Sequence, residues 1–236
     1  LIGVVIRNFC SVAEIIAWAD KIVRENLRWR RCIRKGDPGK IVIVGYSSGP
    51  RNNLYMEWAN NVDFVMGEGE EDRITTEMCW VMALFWNLCK VHLPEEIQED
   101  VVEFLFPRMD FEQTQTDASG LGDYTLRRNG VNYEFPRVEL APPAGVFAAN
   151  YSRAIHYEDH PHKFAASWTL THTKRPGVGP GGNFYFSEYG IKVVHVPDGL
   201  IAWIPRQYHG TSIFDVGHLD DDWLSTGVAL VTSSKL

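Results

Sequence analysis

Cysteine is scarce in this chain and poorly spaced for chemistry. Cys10, Cys32, Cys79 and Cys89 are scattered along 236 residues with no C-x-x-C pair, which excludes a structural zinc site of the usual spacing and a disulfide framework. Reduced thiols and an intracellular setting, cytoplasmic or nuclear, are therefore expected. Long apolar runs are also missing. None approaches the roughly 20 residues that cross a bilayer, and the opening LIGVVI is too short and lacks the charged flank of a signal peptide. The start at Leu1 rather than Met is what a fragment or processed form would show. Cations are outnumbered, with 23 Lys and Arg against 30 Asp and Glu and a net charge of −7. A strong general nucleic-acid binder is not expected, because such binding rests on clustered Lys and Arg. The strand-like run Lys40 to Gly45 ends in glycine, but no G-x-G-x-x-G follows and Pro50 comes soon after, so a dinucleotide site is not expected. Internal repeats and low-complexity tracts are absent.

What is present is an ordinary globular composition, 45% hydrophobic and 22% charged, in a chain long enough to bury a large core. The reading is one domain over 1–236, with a mixed helical support region over 1–106 and a β-rich core over 147–233. Ile2 to Ile6 reads as a strand. Residues 11–29 read as a helix opened by a Ser11 cap with Glu14 three positions on, and Lys40 to Gly45 as a β-branched strand. The Arg24 to Lys35 run around Trp29 is either a local basic stripe or, more simply, the solvated end of that helix. Residues 75–105 read as two helices. The first, around MCWVMALFWNLCKVHL, is apolar on nearly every side and its role is support; the second starts at Pro94 with acids in its first turn. Past Phe106 the chain is rich in Pro, Gly, Asp and Asn, and from Phe147 short β-like runs alternate with Gly/Pro turns, as in a sandwich or barrel.

All the histidines except His92 fall in this last part: His156, His160, His162, His172, His195, His209 and His218. Any one of them is most simply a polar surface or core residue. The segment AIHYEDHPHKF, however, sets His156 and Glu158 two apart, on one face of an extended strand. A distant second imidazole, His209, follows the apolar run GLIAWIP. Two imidazoles and a carboxylate on one face form the facial triad suited to non-haem Fe(II), with positions left open for co-substrate and oxygen.

Here the chain resembles the iron(II)/2-oxoglutarate oxygenase superfamily, and within it the methylcytosine and thymine oxygenase branch with its fungal relatives. The resemblance runs over Phe147 to Val231: NYSRAIHYE, then PGGNFYFSEYGIKVVHVPDGLIAWIP with its Gly181-Gly182 pair, Glu188-Tyr189-Gly190 turn and Pro197-Asp198-Gly199 turn, then YHGTS. It implies an α+β fold built on a double-stranded β-helix (jelly roll) with supporting N-terminal helices. It also implies a dioxygenase that uses Fe(II) and 2-oxoglutarate to hydroxylate or demethylate a small molecule or modified base. His156, Glu158 and His209 would be the metal ligands and catalytic centre, and Asn150 and Tyr151 would contact the co-substrate. Trp168, Tyr185, Phe186 and Trp203 are candidate pocket aromatics, though alternating strand aromatics are more often core.

Two departures from the family pattern matter. The family's His-x-Asp is here His-x-Glu, with Asp159 next door, so either acid is open as the ligand; parity favours Glu158. The family's cation after the distal His is missing, since no Arg or Lys lies between 210 and 234. Lys192 is the leading substitute as a 2-oxoglutarate anchor, from a strand expected to face the pocket, and Arg175 is second. Lys174, Arg206 and Arg153 follow, the last two pointing away by strand parity. A cupin-like metal enzyme that does not use 2-oxoglutarate, or a non-enzymatic jelly-roll binding module, are the alternative readings.

Overall fold

The computed structural model describes residues 1–47, 57–59, 61–62, 67, 69–105, 122–128, 131–138, 144–173, 181–214 and 223–232. The chain runs β1 (Gly3–Arg7), α1 (Ala13–Trp29), β2 (Lys40–Ser47), β3 (Glu57–Trp58), α2 (Glu70–His92), α3 (Glu95–Leu105), β4 (Gly122–Arg128) and β5 (Val131–Val138). It continues through β6 (Ala144–Ala149), β7 (Ala165–His172), β8 (Phe184–Phe186), β9 (Ile191–Val193), β10 (Gly199–Trp203), β11 (His209–Thr211) and β12 (Ser225–Leu230). Seven strands form the main sheet in the order β1-β10-β7-β12-β6-β2-β3, β11-β8-β9 form a smaller sheet, and β4-β5 pair as a hairpin. All named strand pairs are antiparallel. The class is therefore the expected mixture of helices with a jelly-roll pair of sheets, which do not close into a barrel.

Strand alternation divides the main sheet into two apolar faces. Val42, Val44, Phe147, Trp168, Leu200 and Val228 join α1 and α2 in one continuous buried core. Ile41, Val146, Ala148, Ser167, Thr169, Ile201 and Trp203 face the other way and line a cavity. Helix α1 forms because its apolar residues recur at helical spacing: Ile15, Trp18, Ala19, Ile22, Val23 and Leu27 are all buried on one side. Helix α2 is buried nearly all round, from Val81 to Trp86 without a break, and Phe85 stacks on Trp168 at 6.1 Å. Helices α1 and α2 thus back the sheet on the face opposite the cavity.

Several readings change. Ser11 does not cap α1: the capping position is Val12, with no side-chain bond. Ser11 instead takes a left-handed φ of 60°, and its backbone N–H donates to the Asp198 carboxylate at 2.9 Å. Asp198 also accepts from Cys10 N–H at 2.9 Å and from the Trp168 indole at 3.0 Å, so the Pro197-Asp198-Gly199 turn clamps the entry to α1. The N-terminal region supplies β1, β2 and β3 to the main sheet as well as helices. The hairpin β4-β5 lies within the stretch past Phe106 that is rich in Pro, Gly, Asp and Asn. Finally, β6 ends at Ala149 and residues 150–164 are irregular, so His156 and Glu158 do not sit on a regular strand.

The basic run also resolves. Arg24 pairs with Asp20 at 2.8 Å. Arg30 is buried and donates to Asn26, Ala59 and Asn61, leaving Arg34 to reach the cavity. Among the described residues no helix is long and apolar enough to cross a membrane.

Candidate metal centre

The cavity has a volume of about 230 Å³ and lies between the inner face of the main sheet and the β11-β8 side of the small one. Its far end is shaped by the Gly181-Gly182 pair. Gly182 holds a φ of 72°, and a Cβ there would collide with the Phe214 ring, so only glycine keeps both the turn and the close approach.

At one wall His156 and His209 form an isolated antiparallel bridge. His156 N–H donates to His209 O at 2.8 Å and His209 N–H to His156 O at 2.9 Å. This pairing, rather than a continuous strand, sets the two rings 4.3 Å apart. Each imidazole is fixed in the same way, by a backbone carbonyl two residues earlier: His156 Nδ1 bonds Ala154 O at 2.7 Å and His209 Nδ1 bonds Gln207 O at 2.8 Å. A carbonyl only accepts, so in both rings Nδ1 carries the proton and Nε2 keeps its lone pair. Burial pulls both imidazoles below their ordinary pKa; the Arg153 charge adds to this at His156, and His156 itself at His209. Both are neutral, the form that binds metals, at neutral pH.

Glu158 is placed by its backbone N–H, which donates to Pro205 O at 2.8 Å. Its Oε1 lies 3.8 Å from His156 Nε2; with His156 neutral this is a contact and not an ion pair. Ligand atoms of His156, Glu158 and His209 all fall within 4.8 Å of one another. The neighbouring acid, Asp159, is directed to the surface, where its carboxylate meets Arg206 at 2.9 Å with both side chains exposed. Geometry thus separates the two acids that the sequence left open, and Arg206 is committed outside the cavity.

The other named residues divide. Asn150, buried with a φ of 46°, accepts from Ser225 N–H through Oδ1 at 2.9 Å and splices β6 to β12 while lining the cavity. Tyr151 also lines it, its hydroxyl donating to Asp37 at 2.7 Å; burial, with Asp37 beside it, pushes the phenol pKa up. Lys192 is a correction: in β9 it is Val193 that is buried, so by alternation Lys192 points outward and is exposed. Lys174, Arg175 and His218 lie outside the described residues. Of the candidate aromatics, Trp203 lines the cavity, Trp168 turns its ring into the opposite core against Phe85, and Phe186 packs beside the cavity with Phe184 and Val193.

Arg153 is the second correction. Parity along an assumed strand turns it away, yet its Nη1 forms an ion pair with Glu158 Oε1, and both line the cavity. The irregular backbone after Ala149 removes the alternation on which the parity argument stood. Arg34, which no spacing rule singled out, reaches the same oxygen at 3.4 Å from the loop after α1. The sequence signal for it was only its place at the end of the basic run. At the other end of the cavity, His195 Nε2 bonds Ser225 Oγ at 2.8 Å.

No protein-family model matches the chain, and no curated protein does. Solved structures are similar in fold. NgTET1 in complex with 5mC DNA is 10% identical, with a TM-score of 0.53, covering 99% of this chain and 72% of that one. A prolyl-4-hydroxylase from Pseudomonas putida is 13% identical, with a TM-score of 0.44, covering 98% and 92%. A Trichoplax adhaerens prolyl hydroxylase in complex with a hypoxia inducible factor peptide fragment is 10% identical, with a TM-score of 0.42, covering 96% and 81%. At these identities the likeness is one of fold: the chain has the fold of the 2-oxoglutarate oxygenases.

Proposed function

We propose that this oxygenase-fold chain is a non-haem Fe(II)- and 2-oxoglutarate-dependent dioxygenase that hydroxylates or demethylates its substrate, with His156, Glu158 and His209 holding the metal. The observation that carries the reading is the meeting of two imidazoles, each with Nε2 left unprotonated, and one carboxylate at the wall of a largely apolar cavity. Two neutral nitrogens and one anionic oxygen on one side of a site are the donor set that suits Fe(II) with positions left open. Bound there, the iron would supply the oxidative chemistry, coupling reduction of dioxygen and decarboxylation of 2-oxoglutarate to succinate with oxygen insertion at a substrate C–H bond.

The chain's own contribution is positional. The Ala154 and Gln207 carbonyls lock the ring orientations and make the imidazoles better donors. The neutral state of both rings means that neither must shed a proton at pH 7 before taking a metal. The apolar walls, including Ile41, Val146, Ile201 and Phe184, exclude water from the reacting volume. The substrate reading is a small molecule or a modified base. The net charge of −7 argues against strong general nucleic-acid binding, so any nucleic acid would be held by local contacts.

The test is iron content and succinate release after addition of Fe(II) and 2-oxoglutarate to the purified protein. Roughly one iron per chain with succinate formed, and both lost in His209→Ala, supports the proposal. Iron without 2-oxoglutarate turnover favours a cupin-like metal enzyme, and no iron at all favours a binding module.

A further inference from the structure

The site described above sets two guanidinium groups, Arg34 and Arg153, against two carboxylates, Glu158 at the imidazoles and Asp37 behind Arg153, so its charges balance before any metal arrives. Among the described residues that line the cavity, the permanent cations are Arg34 and Arg153, and both address Glu158 Oε1. A divalent metal placed beside them would leave the site net positive by about two charges. A site of this kind is electrostatically incomplete without an anion.

Arg153 is built in from two sides. Its backbone N–H donates to Thr211 Oγ1 at 2.8 Å and Thr211 N–H returns a bond to Arg153 O at 2.9 Å, which pins it opposite β11, the strand of His209. Its Nε faces the Asp37 carboxylate at 3.8 Å, and Asp37 is itself held by the Tyr151 hydroxyl at 2.7 Å. One edge of the guanidinium is therefore oriented by Asp37, while Nη1 holds Glu158. A guanidinium has five N–H donors in one plane, so donors remain for a further carboxylate.

We infer that Arg153, assisted by Arg34, is the group that binds a carboxylate of the 2-oxo-acid co-substrate, and that in the metal-free protein the same guanidinium occupies Glu158. The inference rests on the dioxygenase reading and says where its missing anchor lies. Among the described residues the other candidates are poorly placed: Lys192 is exposed, Arg206 is taken by Asp159, and the sequence has no Arg or Lys from 210 to 234. A metal held by Glu158 would weaken that carboxylate's hold on Arg153 and leave the guanidinium free for the co-substrate. Metal and co-substrate thus bind cooperatively, and Arg153 acts on the two in opposite directions.

That opposition is what an experiment can read. Calorimetric titration of the full chain with Co(II), and then of the Co(II)-loaded and metal-free protein with 2-oxoglutarate, gives both affinities without turnover. Arg153→Met is expected to bind Co(II) at least as tightly as the parent, since a competitor for Glu158 has gone. It should bind 2-oxoglutarate more weakly by roughly 30-fold or more, as loss of a charge-assisted carboxylate pair implies. Arg153→Lys should recover part of this, and Arg34→Met should show a smaller loss of the same kind; its milder position guards against a misfolded Arg153→Met, with thermal melting of each variant run alongside. If Co(II) and 2-oxoglutarate affinity fall together in well-folded Arg153→Met, its role is structural and the inference is overturned. It is equally overturned if Arg153→Met and Arg34→Met bind 2-oxoglutarate like the parent, or if Lys174→Met/Arg175→Met alone abolishes binding. Failure of the Co(II)-loaded parent to bind 2-oxoglutarate at all instead rejects the dioxygenase reading on which the inference stands.

Discussion

Lowering the pH should destabilise this protein, in part through His195, and the size of that share follows from its surroundings. Burial in the cavity wall, then the neighbouring His172 ring at 4.6 Å, then Arg7, push the His195 pKa from 6.5 down to about 3. The unfolded chain takes up this proton near 6.5, whereas the folded chain resists it to about 3. Protons therefore favour the unfolded state across that window, and stability is complete above 6.5, falls as pH drops, and levels off near 3. Between pH 7.5 and 4.5 the unfolded state gains about two pK units of protonation, and at about 1.36 kcal/mol per unit this removes about 2.7 kcal/mol. The assay is urea unfolding of the parent and of His195→Gln at both pH values. Gln keeps a polar partner for Ser225 but does not titrate. The substitution itself will shift the baseline stability, so the informative quantity is the difference between the two pH values. That difference should shrink by about 2–3 kcal/mol in the variant. If His195→Gln retains the full pH dependence of the parent, the assignment is wrong.

Three further outcomes follow. Asp198→Ala should lower stability by about 3 kcal/mol in urea unfolding, because the Cys10 and Ser11 N–H groups and the Trp168 indole lose their charged acceptor together. Cys89→Ser places a hydroxyl in a fully buried apolar helix contact and should cost about 1–3 kcal/mol; metal content of the folded protein should be unchanged, since α2 faces away from the cavity. Asp159→Asn should leave iron binding intact whereas Glu158→Gln should weaken it at least tenfold, measured as iron retained after dialysis, because only Glu158 stands beside both imidazoles.

The pattern of residues in the chain determined a good deal. The helical spacing of Ile15, Trp18, Ile22 and Val23, the β-branched run after Lys40 and the short apolar runs past residue 146 are local signals. They specify which surfaces must be buried whatever the topology. The concentration of histidines in the last third, with His156, Glu158 and His209 as the set that suits a metal, was readable for the same reason: ligand chemistry is a property of residue type. What only the tertiary structure decided was direction. Arg153 was misjudged because alternation holds only while backbone stays extended, and the chain leaves the sheet at Asn150. Lys192 was misjudged because which residues of a three-residue strand face inward depends on the sheet opposite, and there Val193 is the one buried. The Ser11 cap failed because Asp198, far along the chain, offers its N–H a charged acceptor that Ser11's own neighbourhood cannot match. Arg34 and Asp37 enter the site from a loop remote in sequence, and contacts of that kind arise only when folding brings distant segments together.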